Sequence, residues 1–261
     1  MLNQELNIVV IIPARYASTR LHAKPLIDLC GKPMIQHVYE RAKEATLVTD
    51  VIVATDHEHI AEAVRKFGGK VMMTPSSLRS GSDRIAHAAK TLPEAEIIVN
   101  VQGDEPLIVP QMIDEAIKPM VDDRNIQVGT LVKKITSAEE LKNAGTVKVV
   151  IDTNGFAIYF SRSPIPYLRD SAEIDTWHRE HLYYKHIGLY VFRREFLLTF
   201  ASWQESTLEQ AEKLEQLRII EHGYKIKATA TTYDSVPVDT AEDAQRVRNL
   251  MQQHSQVHYH E

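Results

Sequence analysis

Short runs rich in β-branched residues alternate with amphipathic stretches through the N-terminal part of the chain, and this alternation restricts the possible folds more than any other feature. Apolar runs at 8–12, 51–54, 70–73 and 97–101 predict strands. Between them, 34–45, 60–67 and 83–92 carry apolar residues at helical spacing, as at Met34, Ile35, Val38 and Ala42. Repeated strand, helix, strand units predict an α/β fold, Rossmann-like, with a mostly parallel sheet flanked by helices. Gly68-Gly69 is suited to stop the second helix and Pro33 to start the first.

After residue 143 the rhythm changes. Runs at 146–151 and 156–160 flank Asp152-Thr153-Asn154-Gly155, and the Asn-Gly pair predicts a hairpin, hence an antiparallel insertion or subdomain. Residues 163–185 have no clear period and suggest a long functional loop or a dimer element. A strand at 187–192, a helix at 208–222, a strand at 226–230 and a helix at 241–251 complete the pattern.

Composition excludes some partners. A chain of 261 residues can bury a full core, and its formal charge of −5 opposes a role in coating nucleic acid, which needs a basic face. Small anions stay open as ligands, since a few arginines can set the field of a cleft. The run 8–12 is too short for a signal segment or a membrane span and no basic stretch precedes it. With Cys30 as the single cysteine, no internal disulfide can form, which fits a reducing compartment. These features predict a cytoplasmic protein without membrane or nucleic-acid partners.

Neither a P-loop nor a Gly-x-Gly-x-x-Gly fingerprint occurs. Instead, about twenty residues separate the first strand from Pro33, where such connections usually have two to six, and they carry Arg15, Arg20 and Lys24. Cations at the C-terminal end of a strand suggest an anion site, although composition alone favours a solvated basic loop. The strand at 97–101 runs into Gln102-Gly103-Asp104-Glu105-Pro106, and Asp239 follows another candidate strand. Both aspartates suit Mg²⁺, a hard ion that takes one or two carboxylates plus phosphate and water; alternatively Asp104 forms a turn and Asp239 caps the last helix. Ser80 and Asp83 have the spacing of a capping box.

The run Ile11-Ile12-Pro13-Ala14-Arg15-Tyr16-Ala17-Ser18-Thr19-Arg20-Leu21, with Lys24-Pro25-Leu26 and Gly31-Lys32-Pro33-Met34-Ile35, closely resembles the opening of the CMP-Kdo synthetases, the 3-deoxy-manno-octulosonate cytidylyltransferases. Gln102-Gly103-Asp104-Glu105-Pro106, Val238-Asp239-Thr240 and Ser80-Gly81-Ser82-Asp83-Arg84 resemble further motifs of that family, the last with Ser82 and Asp83 where it has Thr and Glu. His22-Ala23 stands where the family has Pro-Gly, a glycine that would permit positive φ. The likeness spans 8–248 and leaves 252–261, with His254, His258 and His260, outside.

This resemblance implies transfer of CMP from CTP to the anomeric hydroxyl of Kdo, for lipopolysaccharide, by a homodimer using Mg²⁺. It implies catalytic roles for Lys24, Arg15 and Asp104, metal ligation by Asp104 and Asp239, and nucleotide contacts from Pro13, Ala14, Arg15, Arg20, Lys24, Ser80, Gly81 and Arg84. Sugar contacts would come from Gln102, Arg162, His186, Tyr190, Glu215 and Gln216. It divides a single domain into a nucleotide-binding core, about 1–143 and 225–251, and a sugar-binding and dimerisation region, about 144–224. On the residues themselves, Arg162 could grip a carboxylate with two prongs, and Glu215 falls in an apolar stripe of the 208–222 helix, four residues from Ala211 and Ile219. Rival readings are an 8-amino-Kdo cytidylyltransferase, a synthetase for sialic acid, which the pocket motifs oppose, and a silent nucleotide-sugar binding protein.

Overall fold

The computed structural model describes residues 6–17 and 21–257, and its backbone divides into two units, 1–114 with 234–261, and 115–233. The first unit opens with β1 (Ile8–Ala14), a two-residue hairpin of β2 (Asp28–Leu29) and β3 (Lys32–Pro33), and α1 (Met34–Lys43). It continues through β4 (Asp50–Thr55), α2 (Glu58–Lys66), β5 (Lys70–Met73), α3 (Gly81–Ala89) and β6 (Ile97–Asn100), and the following α4 (Pro110–Asp122) spans the division at residue 114. The strands lie in the order β6-β1-β4-β5, and every adjacent pair is parallel, as the alternation predicts. Val10, Ile11, Ile12, Val53, Ile97, Ile98 and Val99 are wholly buried, the near-continuous apolar strands of a sheet covered on both faces. α3 starts two residues before its expected position because the Ser80 hydroxyl accepts from Asp83 N–H at 3.0 Å and caps it.

The second unit comprises β7 (Val128–Lys134), α5 (Ala138–Lys142), β8 (Lys148–Ile151), β9 (Ala157–Ser161), α6 (Trp177–Glu180) and β10 (Tyr184–Arg193). It ends with α7 (Arg194–Ser202), α8 (Thr207–Glu212), α9 (Gln216–Glu221) and β11 (Ile226–Ala230). Its order is β11-β7-β10-β8-β9, parallel at β11/β7 and antiparallel elsewhere, so the antiparallel portion is present. The hairpin forms around Gly155 at φ 76, while the Asp152 carboxylate accepts from Asn154 and Phe156 N–H, both at 2.8 Å. The unpatterned stretch 163–185 is not an open loop throughout: it contains α6, and Trp177 and Tyr183 are buried against Ile135 and Leu141.

The helix expected at 208–222 is broken. Lys213 takes the left-handed conformation at φ 53, and Leu214 N–H reaches back to Glu209 O at 3.4 Å, the closing bond of a helix end. The carbonyls that the break leaves without helical partners are met by Arg162, whose Nε donates to Glu212 O at 2.7 Å and Nη2 to Lys213 O at 3.4 Å. The chain then returns to the first unit as α10 (Ala241–Val257), which continues past its expected end at 251. His258 and His260 lie outside the described residues.

Candidate active site

The end of β1 delivers Pro13, Ala14 and Arg15 to one wall of a cavity of about 500 Å³ in the first unit, and the N-terminus of α3 delivers Ser80 and Gly81 to another. The loop after β6 closes it with Gln102, Gly103 and Asp104. A Cβ on Gly103 would stand 2.9 Å from Pro13 O, so glycine is what lets the β1 and β6 loops approach. Exposed amides at a helix N-terminus and nearby cations suit an anion.

Lys24 also lines the cavity, in a single 3₁₀ turn (Lys24–Leu26). Its Nζ donates to Asp104 Oδ2 at 2.6 Å and to Asp239 Oδ1 at 2.8 Å, so one cation already holds both carboxylates together. Burial opposes the ammonium charge, but Asp104 and Asp239 outweigh it, and the Lys24 pKa is raised above the ordinary lysine value. The carboxylates are 31% and 38% exposed, which leaves them open to a further ion or a phosphate.

Asp239 is not the cap of α10. Thr240 and Asp243 form that capping box, with Thr240 N–H donating to Asp243 Oδ2 at 2.9 Å and Asp243 N–H to Thr240 Oγ1 at 3.1 Å. The two aspartate loops are tied together by Val238 N–H, which donates to Asp104 O at 2.9 Å. A second tie is the buried Glu105 carboxyl, hydrogen-bonded to Ser235, whose pKa burial pushes up to about 7. Among the described residues no group of three or more His, Cys, Asp or Glu is placed to hold a metal. Two convergent carboxylates beside an anion cavity nevertheless fit Mg²⁺, whose remaining ligands are ordinarily phosphate and water.

Other expected nucleotide contacts fall elsewhere. Arg84 is wholly buried rather than on the cavity wall: Nη2 donates to Asp56 Oδ2 at 2.9 Å, and Nη1 to Thr74 Oγ1. Asp56 Oδ1 in turn accepts from Tyr16 N–H at 3.3 Å, so Arg84 supports the loop after β1 through Asp56. Arg20 lies outside the described residues. Arg79, not singled out in the sequence, lines the cavity as a further cation; its place directly before the Ser80-Gly81 motif was the available signal. Ala23 takes φ 50 and ψ 34, so left-handed backbone, which glycine adopts freely, is borne here by an alanine.

Of the expected sugar residues, Gln102 belongs to the first unit and the rest to the second. His186 and Tyr190 stand on β10 with ring centroids 5.2 Å apart. Burial pushes the His186 pKa down to about 4, and burial with the neighbouring Glu215 charge raises that of Tyr190 well above the ordinary tyrosine value. Glu215 is corrected in its setting: it sits at the start of α9 after the break, not in a continuous apolar stripe, with Oε1 3.8 Å from Arg218 Nη2. Gln216 is buried, and its Nε2 has no hydrogen-bond partner among the described residues. Arg162 does not present an open fork; besides the two carbonyls at the helix break, Nη1 donates to Ala144 O at 3.1 Å. Glu212, missed in the sequence, accepts from Ser161 Oγ at 2.6 Å and Arg162 N–H at 2.9 Å and so fastens the break to β9.

Comparison with known proteins adds the family. Residues 9–226 match the cytidylyltransferase family model. The 3-deoxy-manno-octulosonate cytidylyltransferase of Geotalea uraniireducens is 53% identical over 93% of this chain and 98% of its own. A solved CMP:2-keto-3-deoxy-manno-octonic acid synthetase complexed with CTP superimposes with a TM-score of 0.89 at 44% identity, covering 95% of this chain and 99% of that one. The 4-diphosphocytidyl-2C-methyl-D-erythritol synthase of Anaerococcus prevotii shares the fold, with a TM-score of 0.64 at 15% identity over 95% of this chain and all of that one. A cavity cradled by β1 and α3, two aspartates gathered on one lysine and matches along almost the whole length agree: the chain belongs to the cytidylyltransferase family, among the 3-deoxy-manno-octulosonate cytidylyltransferases.

Proposed function

We propose that this chain transfers CMP from CTP to the anomeric hydroxyl of Kdo, with Mg²⁺ on Asp104 and Asp239, and so supplies an activated sugar for lipopolysaccharide. The observation that carries the reading is the meeting of Asp104, Asp239 and Lys24 at the wall of the anion cavity. The sugar oxygen attacks the α-phosphorus, the bond to the bridging oxygen of the β-phosphate breaks, pyrophosphate leaves with that oxygen and the hydroxyl proton passes to solvent. Mg²⁺, when bound, disperses phosphate charge. Lys24, kept protonated by its two acidic neighbours, supplies a mobile positive charge to the α-phosphate as charge develops there. Arg15 and Arg79 add fixed positive charge, and the amides at the start of α3 receive phosphate or ribose oxygens. No covalent enzyme intermediate is required.

His186, Tyr190, Glu215 and Gln216 form the acidic-sugar site, and Gln216 Nε2, without a partner among the described residues, is a donor for a substrate oxygen. Among the described residues no helix is long and apolar enough to cross a membrane. Assembly as a homodimer belongs to this reading through the family resemblance.

Pyrophosphate release from CTP, measured with Kdo, with 8-amino-Kdo and without sugar, each with Mg²⁺ or with chelator, tests the proposal. Release that needs both Kdo and Mg²⁺ is expected. A folded protein that binds CTP yet releases none with Kdo would overturn it, and preference for the amino sugar would reassign the substrate.

A further inference from the structure

Within the second unit, the register of β10 against β7 shifts between Ile187 and Tyr190. At this shift two β10 carbonyls meet one β7 side chain: Thr130 Oγ1 lies 2.8 Å from Leu189 O and 3.2 Å from Ile187 O. His186 Nε2 is 2.9 Å from the same oxygen. Thr130 is wholly buried, so water does not compete for its hydroxyl.

A hydroxyl has one proton to donate, and a carbonyl can only accept. If that proton pointed at His186, the Thr130 lone pairs would face Leu189 O at 2.8 Å, an unfavourable contact between two acceptors. The proton therefore goes to Leu189 O, and the imidazole must donate to the lone pair that remains. We infer that Thr130 holds His186 as the Nε2–H tautomer, leaving Nδ1 as an acceptor, so that the sugar group His186 recognises is a hydrogen-bond donor, a hydroxyl or an ammonium. Among the described residues the imidazole's hydrogen-bond partner is Thr130, which leaves Nδ1 for a ligand. The depressed pKa keeps the ring neutral at ordinary pH, so Nδ1 keeps its lone pair. Thr130 is thus a positioning residue. The recognition half of this inference rests on the proposal that His186 serves the sugar site; the tautomer half does not.

Both halves are tested on the full-length protein labelled with ¹⁵N-histidine, where long-range ¹H–¹⁵N correlations identify the protonated ring nitrogen and His186→Asn assigns the signal. The wild type should show an Nε2–H ring at neutral pH. Thr130→Ser should keep that tautomer and a KM for Kdo within about twofold, whereas Thr130→Val should mix the tautomers and raise the KM about tenfold with less effect on kcat. An Nδ1–H ring or an imidazolium in the wild type would overturn the inference whatever the kinetics. A changed tautomer in Thr130→Val with unmoved Kdo kinetics would leave the tautomer standing and overturn the assignment of His186 to the sugar.

Discussion

In the first unit the polar groups around the cavity come from the ends of parallel strands and the loops directly after them: Arg15 follows β1, and Asp104 stands four residues beyond the end of β6. In the second unit the residues proposed for the sugar stand at a register shift in β10 and at the break between α8 and α9. The first arrangement is set by local chain geometry. Ligands of α/β sheets gather at such strand ends, and the loops there need only carry the right charges. The second depends on irregularities of strand and helix that particular side chains hold in place: Arg162 and Glu212 fasten the helix break, and Thr130 meets His186 at the register shift. The first site is therefore expected to fail through charge and the second through geometry.

Lys24→Ala strikes the first site hardest. It should lower kcat for pyrophosphate release about a hundredfold while raising the KM for CTP much less, because the missing charge matters most in the transition state. An unchanged kcat with only a raised KM would make Lys24 a binding residue.

Glu215→Gln probes the second site. The substitution keeps size and hydrogen-bonding capacity, so kcat/KM for Kdo should fall about ten- to hundredfold while CTP affinity and the melting temperature change little. Normal Kdo kinetics with a melting point lowered by many degrees would mark Glu215 as a structural partner of Arg218 instead.

The two sites were not equally legible in the sequence. Every strand and helix of the N-terminal alternation is present, since buried apolar runs and helical spacing are local signals. The convergence of Asp104 and Asp239 could be expected from their places after strands, but the direct bridge by Lys24 could not, because it joins residues 80 and 215 positions apart. The stripe around Glu215 failed for a physical reason: apolar spacing cannot register a lysine that adopts positive φ, and the Arg162 donors that satisfy the broken turn lie some fifty residues upstream. The family resemblance implies a nucleotide contact for Arg84, and its buried bonds to Asp56 and Thr74, which join it to distant segments of the chain, are not readable from the motif.

A smaller effect comes from pH. The ordinary histidine value is 6.5 and that of folded His186 about 4, so between these values the unfolded chain takes up a proton that the folded chain refuses. Stability should therefore fall as pH drops through this window, by at most about 1.4 kcal/mol per pH unit from this residue, and hold steady above it. Urea unfolding from pH 7 to 4.5 should show a shallower slope in His186→Asn; an identical slope would mean that the ring is not enclosed.

The smallest effect concerns the loop before Lys24. Ala23 at φ 50 bears left-handed strain that glycine does not, so Ala23→Gly should leave turnover intact and raise stability by up to about 1 kcal/mol in chemical denaturation. A loss of stability would show that the alanine methyl group contributes packing that outweighs its backbone strain.

The central claim, that Asp104 and Asp239 hold the metal beside bound CTP, is tested most directly by Mn²⁺ binding in the presence of CTP, followed by electron paramagnetic resonance. The wild type should bind the ion, and Asp104→Asn and Asp239→Asn should each weaken binding at least about tenfold with the fold and metal-free CTP binding preserved. Wild-type Mn²⁺ affinity in both variants would contradict the account.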